Sequence, residues 1–236
     1  MKISVALAAY NGEKYIKEQI VSILDNLSAD DELIISDDNP KGKTKSVIES
    51  ISDGRIKYIE GPSKGVIKNF ENAINHCTGD IIILSDQDDV WLKNKVSEIV
   101  KAVGDGADMV VHNAQVTDVN LNPVSTTFKD FGFKRGYWQN IIKNTYIGCC
   151  MAFRKEMVQA ILPFPEKIPM HDQWIALIAE KYFKIAVIDT PLMNYRRHSE
   201  TVTGKKTTAM QKIIWRKNII SELSKYERCG LKNRGK

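Results

Sequence analysis

The sequence of 236 residues lacks a long hydrophobic run. Its apolar stretches are far shorter than the roughly 18–20 residues that a helix needs to span a bilayer. The N-terminal stretch MKISVALAAYNG has a short apolar run and no clear cleavage site, which favours a buried first strand over a signal peptide. We therefore expect a cytoplasmic protein.

The sequence also lacks two glycine-rich nucleotide-binding motifs and one calcium-binding motif. The first apolar run is followed by AAYNGE, which fits neither the G-x-G-x-x-G of dinucleotide-binding folds nor a phosphate-binding P-loop. An EF-hand loop that begins at Asp86 would need glycine at its sixth position and glutamate at its twelfth. Trp91 and Ser97 stand there instead, which excludes this class of calcium site.

The four cysteines lack the spacing of a metal site, so buried reduced thiols are the simplest interpretation of Cys77, Cys149, Cys150 and Cys229. The net charge of +5 is small, but residues 205–236 are rich in lysine and arginine. This basic segment could contact anionic lipid, nucleic acid or only water. The hydrophobic fraction of 43% is enough for the core of one domain.

The first hundred residues alternate between apolar runs and segments of helical periodicity. The predicted strands are Ile3–Ala9, Glu32–Ser36, Ile56–Glu60 and Ile81–Ser85. The predicted helices are Gly12–Leu27, Thr44–Ile51, Val66–Cys77 and Leu92–Val103. Such alternation is typical of βαβ units, so we expect an α/β fold with a mainly parallel central sheet flanked by helices.

The remaining residues follow a less regular pattern. Predicted strands cover Asp108–His112, Tyr146–Arg154, Ile185–Ile188 and Leu192–Arg196, and residues 115–130 form a polar, irregular excursion. Predicted helices cover Glu156–Leu162, His171–Tyr182 and the amphipathic segment Met210–Leu223.

Polar residues follow each of the first four predicted strands. They are Tyr10-Asn11, Asp37-Asp38, Ser63-Lys64 and the acidic stretch Asp86-Gln87-Asp88-Asp89. Because ligands of parallel α/β sheets bind outside the carboxyl ends of the strands, these residues predict one ligand crevice.

Asp86 and Asp88 lie two residues apart, so on an extended chain their carboxylates point the same way and suit Mg²⁺ or Mn²⁺. The structural alternative is that Asp89 caps a helix beginning near Leu92 while its neighbours are solvated. Both interpretations can hold together. Carboxylates at the end of a buried strand need compensation, and we expect the compensating cation to arrive with the substrate.

The neighbouring polar residues also allow two interpretations each. Asp37-Asp38 either forms an Asx turn before Pro40 or binds the edge of a base or ribose. Lys64 and Lys68 are either ordinary surface lysines or cations for a diphosphate.

Several separated motifs together resemble the family 2 glycosyltransferases of the GT-A fold. They are SVALAAYNGEKYI, IISDD, KNFENAI and GDIIILSDQDDVW, followed by Gly148-Cys149 and His171-Asp172. The match extends over about residues 1 to 200 and is nearest to bacterial rhamnosyltransferase-like members, which build cell-surface polysaccharides. In one place the chain departs from the family, because Asn39-Pro40-Lys41-Gly42-Lys43 replaces a Gly-Ser-x-Asp type turn.

The resemblance implies roles for individual residues. The residues it assigns to the nucleotide are Ala8, Tyr10, Asp38, Lys68, Asn69 and Asp86. It assigns a Mn²⁺ or Mg²⁺ ion to Asp88 and His198, and the catalytic base to Asp172. We expect Gly148, His171 and Trp174 near the donor or acceptor sugar, although Trp174 also fits the core. From the pattern alone, Asp172 could instead cap the helix that follows it.

The function implied is inverting, metal-dependent transfer of a sugar, with rhamnose as one candidate, from a dTDP- or UDP-linked donor. The acceptor would be a saccharide or a lipid-linked molecule, and no nucleic acid is expected as a partner. Residues 1–105 would form the nucleotide half and 106–204 the acceptor half. Residues 205–236 would form a basic amphipathic helix, either packed on the domain or in peripheral contact with the inner membrane face. The alternatives are a non-catalytic nucleotide-sugar-binding module and a nucleotidyltransferase.

Overall fold

The computed structural model describes residues 1–198 and 208–233. The predicted domain boundary at residues 204/205 lies outside the described residues, and so does the side chain of Cys229. Cys77, Cys149 and Cys150 are buried free thiols, as predicted.

The strands of the described residues form one sheet. They are β1 (Ile3–Ala9), β2 (Glu32–Asp37), β3 (Ile56–Glu60), β4 (Ile81–Ser85), β5 (Val90–Trp91), β6 (Met109–Thr117), β7 (Pro123–Thr126), β8 (Met151–Arg154) and β9 (Ile185–Arg196). Their order is β3-β2-β1-β4-β8-β6-β9-β5, and β7 pairs with β6. The β3-β2-β1-β4 half is parallel, whereas β8 runs antiparallel to both of its neighbours.

Helices cover both faces of this sheet. They are α1 (Ile16–Leu24), α2 (Thr44–Glu49), α3 (Val66–Asn75), α4 (Lys95–Gly104), α5 (Thr127–Phe131), α6 (Tyr137–Ile142), α7 (Val158–Ile161), α8 (His171–Tyr182) and α9 (Ala209–Asn233). Two short 3₁₀ segments span Gly148–Cys150 and Lys155–Met157. The α/β fold expected from the sequence is confirmed.

The apolar character of β1 follows from burial on both of its faces. Val5 and Leu7 pack into the core formed with α1 and α4, and Ala6 packs into the core formed with α3, α8 and α9. Successive side chains of a strand point to opposite faces, so a strand between two helical layers needs apolar residues on both of its faces.

Several predicted elements differ from the structure, and three differences affect the site. The predicted strand Tyr146–Arg154 contains the 3₁₀ turn Gly148–Cys150 before β8 begins. Two predicted short strands are a single strand, β9. The helix expected from Leu92 begins at Lys95, because β5 pairs with β9 and a turn at residues 93–94 follows it. Asn94 occupies the N-cap position, so the predicted capping role of Asp89 is wrong.

Some side chains of helix α9 pack on the domain, and others are exposed. Ile219 and Leu223 are buried in the core shared with α8, and the rings of Tyr226 and Trp174 are 5.8 Å apart. Met210, Ile213, Ile214 and Ile220 are exposed. Among the described residues, no helix combines the length and the apolar character that crossing a membrane requires.

Candidate active site

The loops that follow β1 and β4 are joined by one glutamine. The Gln87 amide oxygen accepts the N–H of Tyr10 at 2.8 Å, and its Nε2 donates to the Tyr10 carbonyl at 3.0 Å. A Cβ at Gly12 would lie 2.2 Å from the same amide oxygen, so a side chain at this position would displace the Gln87 amide. The Tyr10 side chain remains 59% exposed and its ring is accessible to a planar ligand.

Asp38 orders the loop that follows β3. Its carboxylate accepts the backbone N–H groups of Gly65 at 2.7 Å and Lys64 at 3.3 Å, and its own N–H donates to the Ala9 carbonyl. Asp37 instead accepts the N–H of Asn39 at 3.1 Å. Asp37 therefore makes the Asx-type contact that the sequence left open, whereas Asp38 ties the ends of three strands together.

The two α3 residues assigned to the nucleotide have partners within the protein. The Asn69 amide donates to the carbonyls of Ala9 and Ser36, both at 3.0 Å, and its 2% exposure speaks against direct contact with a ligand. The Lys68 ammonium lies 3.0 Å from the Glu71 carboxylate and 3.2 Å from the Phe164 carbonyl. Ala8 is only partly buried near the end of β1.

The acidic loop, residues 86–89, brings carboxylates close to a thiol. Ligand atoms of Asp86, Asp89 and Cys149 lie within 4.8 Å of one another. Burial, together with the nearby Asp88 carboxylate, raises the pKa of Asp86 to about 7, although the Cys149 thiol donates to it. Burial also raises the pKa of Asp89. Such shifts favour occupation of the loop by a positive group.

Two basic side chains, Arg196 and Lys95, and the His198 ring surround this loop. Arg196 donates its backbone N–H to Asp89 at 3.1 Å and its Nε to the Asp88 carbonyl at 2.9 Å. His198 Nε2 lies 2.8 Å from the Asp88 carboxylate. Lys95 is fully buried, and its ammonium donates to the Cys149 carbonyl at 3.0 Å. The fold itself therefore compensates part of the negative charge of the acidic loop. The prediction that the compensating cation arrives with the substrate did not include these residues.

The donor atoms of the acidic loop fit a hard divalent cation. Asp89 Oδ2 is buried and has no hydrogen-bond partner among the described residues, which leaves a carboxylate oxygen available beside Asp86. Mn²⁺ and Mg²⁺ prefer such oxygen ligands. The Cys149 thiol is a softer donor and does not add to this preference.

Asp172 is the second residue of α8, and Met170 occupies the N-cap position, so the capping alternative is wrong. Its Oδ1 accepts the Gln173 N–H at 2.6 Å and the Asn144 side-chain amide at 3.0 Å, and the Gly148 N–H also donates to the carboxylate. Burial nevertheless raises its pKa to about 7. A carboxylate with this pKa can accept a proton near neutral pH.

The three residues predicted near a sugar, Gly148, His171 and Trp174, are all buried. His171 is buried, stacks on Phe70 with ring centroids 4.2 Å apart, and has a pKa lowered to about 3 by burial, so it is a neutral imidazole. A Cβ at Gly148 would lie 2.6 Å from its Nε2. Trp174 is buried and donates its Nε1–H to the Ile161 carbonyl, which agrees with the core position that the sequence analysis gave as the alternative.

Lys95 and Arg196 are site residues that the sequence reasoning missed. A signal for Lys95 existed, because it precedes Ile99 by four residues and therefore lies on the apolar face of its helix. Arg196 had no local signal, since Arg197 stands beside it and its partner Asp89 is 107 residues away. No pattern in the sequence distinguished the role of Gln87 from that of its acidic neighbours.

Comparison with known proteins identifies the family. The model of "Glycosyl transferase family 2" matches residues 4–162, which include β1 to β4, the acidic loop and Gly148. The chain belongs to this family. The resemblance found in its motifs is thereby confirmed, and the chain is a glycosyltransferase.

Curated relatives of this glycosyltransferase share its family and differ in their substrates. A UDP-Glc:alpha-D-GlcNAc-diphosphoundecaprenol beta-1,3-glucosyltransferase of Escherichia coli is 24% identical over 86% of this chain and 80% of its own length. A dTDP-rhamnosyl transferase of Shigella flexneri is 26% identical over 95% of this chain and 78% of its own length.

Solved structures share the fold. TarS of S. aureus, residues 1–349 in complex with UDP-GlcNAc, superposes with a TM-score of 0.70 at 19% identity over 88% of this chain. A mannosyltransferase of Pyrobaculum calidifontis, in complex with GDP-Man and Mn²⁺, gives a TM-score of 0.64 at 19% identity over 86% of this chain. The glycosyltransferase spans 62% and 58% of the length of these two chains.

Proposed function

We propose that this glycosyltransferase moves a sugar from a nucleotide diphosphate to an acceptor hydroxyl with inversion, in the synthesis of a cell-surface polysaccharide. One observation supports this most: the turn Gly148–Cys150 contacts both carboxylate sites. Its Cys149 thiol donates to Asp86, and its Gly148 N–H donates to Asp172. A donor site and a base on either side of one turn are what a single displacement requires.

The donor would bind at the carboxyl ends of β1, β2 and β4. Tyr10 offers an exposed ring for the base, and Asp38 and Asp86 offer carboxylate oxygens for the base and ribose. The relatives named above act on UDP-glucose and dTDP-rhamnose, which makes UDP- and dTDP-linked sugars the first donors to test.

A divalent cation held by the acidic loop, by Asp88 with His198 beside it and by the neighbouring carboxylates of Asp86 and Asp89, would supply Lewis-acid neutralisation of the diphosphate. Asp172 would accept the proton of the acceptor hydroxyl during its attack on the anomeric carbon. Asn144 and the N–H groups of Gln173 and Gly148 hold this carboxylate in place. No covalent intermediate is needed, so one displacement inverts the anomeric configuration.

The acceptor would be a saccharide or a lipid-linked saccharide. An E. coli relative acts on a diphosphoundecaprenol-linked sugar. The exposed Met210, Ile213 and Ile214 of α9, with Lys212 and Lys217 among them, suit peripheral contact with a membrane that holds such acceptors.

Substitution of the proposed base tests the function. Asp172→Asn keeps the size and the contact with backbone N–H groups but removes proton acceptance, so we expect kcat to fall about 10²–10⁴-fold while nucleotide affinity stays within about twofold. The control is Asp30→Asn, an exposed aspartate in the turn before β2. The measurement is turnover with a panel of UDP- and dTDP-sugars, with the anomeric configuration of the product read by NMR. Full turnover of Asp172→Asn would contradict the base, and a retained configuration would contradict the single displacement.

A further inference from the structure

Gln87 is the one uncharged residue of the acidic loop. Its amide pairs with the backbone of Tyr10 as a neighbouring strand would. Oε1 accepts the Tyr10 N–H at 2.8 Å, and Nε2 donates to the Tyr10 carbonyl at 3.0 Å. We call these two hydrogen bonds the Gln87 clamp. The clamp binds both backbone groups of the residue that carries the exposed ring beside the proposed nucleotide site.

The residues that follow Tyr10 are held by side chains of two other elements. Asn11 has a φ of 51°, in the left-handed region that residues other than glycine seldom occupy. Its Oδ1 accepts the Asn39 side-chain amide at 2.8 Å, and Thr44 Oγ1 accepts the N–H of Gly12 at 2.8 Å. A conformation of this kind persists where surrounding contacts hold it, and such positions are frequent at ligand sites. The loop after β1 is therefore fixed at three consecutive residues.

Gly12 leaves the space that the Gln87 amide occupies. A Cβ at Gly12 would lie 2.2 Å from Gln87 Oε1 and 2.8 Å from its Cδ. Gly12 is not among the glycines with a positive φ, so its backbone conformation does not require glycine. The missing side chain serves the clamp instead.

We propose that Gln87 is a positioning residue for the nucleotide, because its amide holds the Tyr10 backbone so that the ring is in place before the base binds. A group that is already ordered loses less conformational freedom on binding. The acidic loop would then have two separate tasks, since its carboxylates serve the cation and its glutamine serves the base. This inference rests on the proposed function, because it takes Tyr10 as the platform for the base.

A double-mutant cycle of Gln87→Ala and Tyr10→Ala tests this role. The probes are UDP and dTDP with Mn²⁺, measured by calorimetry, and the nucleotide that the unmodified chain binds more tightly is used throughout. We expect each single variant to weaken binding about five- to tenfold. Because Gln87 acts through the Tyr10 ring, Gln87→Ala should change the affinity of the Tyr10→Ala chain less than about twofold.

The control for this cycle is Gln159→Ala, which removes an exposed glutamine of α7 and should leave nucleotide affinity unchanged. Thermal unfolding of each variant verifies its fold. If Gln87→Ala weakens binding equally with and without the Tyr10 ring, the glutamine acts through the cation site or on the nucleotide itself, and the proposal is wrong. Unchanged affinity of either single variant would also overturn it.

Gly12→Ala disturbs the same amide without removing it. In the unmodified chain the new Cβ displaces the Gln87 amide, so we expect about the same loss of affinity as in Gln87→Ala. In the Gln87→Ala chain the two crowding atoms are absent, and the nearest remaining atom of residue 87 is its Cβ at 3.5 Å. There Gly12→Ala should add less than about twofold. Equal effects of Gly12→Ala in both chains, large or small, would overturn the proposal.

Hydrogen exchange of the free chain, followed by NMR, tests the clamp without any nucleotide. Gln87→Ala should accelerate exchange of the Tyr10 N–H about tenfold or more, while the Gly12 N–H, bound by Thr44, changes less than about threefold. Unchanged exchange at Tyr10 would contradict the clamp even if nucleotide binds. If the unmodified chain binds neither UDP nor dTDP in Mn²⁺, the proposed donor site is wrong, and the role of Gln87 in nucleotide binding is wrong with it, whatever the exchange shows.

Discussion

At the residue scale, Asp172 combines two opposing influences on one carboxylate. Donors from Asn144, Gln173 and Gly148 lower its pKa, but burial outweighs them and raises the pKa from 3.8 to about 7. At neutral pH the residue is therefore divided between a form that accepts a proton and a form that cannot.

This shift predicts the direction of a pH profile. General-base catalysis needs the deprotonated carboxylate, so kcat should rise about tenfold per pH unit below pH 7 and become level above about pH 8. Saturating donor and Mn²⁺ keep the titration of the free donor site out of the measurement. An Asp172 with its ordinary pKa would give a flat kcat from pH 5.5 to 8, and that result would contradict the predicted shift.

Lys95 shows which residue roles a sequence can and cannot reveal. Its position on the apolar face of α4 was readable, because Val96, Ile99 and Val103 define that face. Its contacts with the Cys149 carbonyl and the Trp91 ring were not readable, because they depend on how distant elements pair. The same holds for His198, whose expected place beside Asp88 came from the family resemblance and not from spacing.

At the element scale, the turn Gly148–Cys150 determines how close the two carboxylate sites lie. It was predicted as part of a strand, because GCCMAF is apolar throughout and apolar runs do not distinguish a strand from a buried turn. In contrast, β1, β3, β4 and α8 have the predicted bounds, since strong apolar or helical patterns and clear flanking residues define them.

Substitution of the turn's glycine should disturb both stability and catalysis. Gly148→Ala places a Cβ 2.6 Å from His171 Nε2, and the imidazole cannot move because it is buried against Phe70. We expect the free energy of unfolding in urea to fall by about 1–3 kcal/mol. Gly104→Ala is the control, because nothing lies within 4 Å of its Cβ, and there we expect no loss and a gain of up to about 1 kcal/mol. Equal stability of the two variants would show that the turn tolerates a side chain.

At the scale of the whole molecule, the two halves of the sheet differ in how far the sequence predicted them. The parallel half follows from βαβ alternation. The insertion of β8 between β4 and β6 does not, because pairings such as Ile82 with Phe153 join residues that no local pattern relates. The residues proposed to bind the nucleotide sugar lie in the parallel half of the sheet. Several of the residues that contact them come from the other half.

Nucleotide binding should therefore stabilise the molecule as a unit. UDP or dTDP with Mn²⁺, at about 100 times its Kd, should add about 2.7 kcal/mol to the free energy of unfolding and raise Tm by about 5–10 °C. EDTA should remove this shift, and Asp88→Ala should lose its metal-dependent part while Asp30→Ala keeps it. At equal concentrations of UDP and dTDP, the nucleotide with the larger shift identifies the donor base. The same shift in EDTA would contradict metal dependence.

The acidic loop also has a consequence for biosynthesis. Asp89 and Arg196 are 107 residues apart, and a ribosome adds roughly 5–20 residues per second. Roughly 5–20 seconds therefore separate their appearance. Mn²⁺-dependent UDP binding can be compared between ribosome-bound chains arrested before Arg196 and chains arrested after α9. A difference in binding between the two would show the effect of the missing residues. Lys95 follows Asp89 closely in the chain, but Arg196 is added only at the end of this interval, so the nascent enzyme carries its acids before it carries the arginine that contacts Asp89.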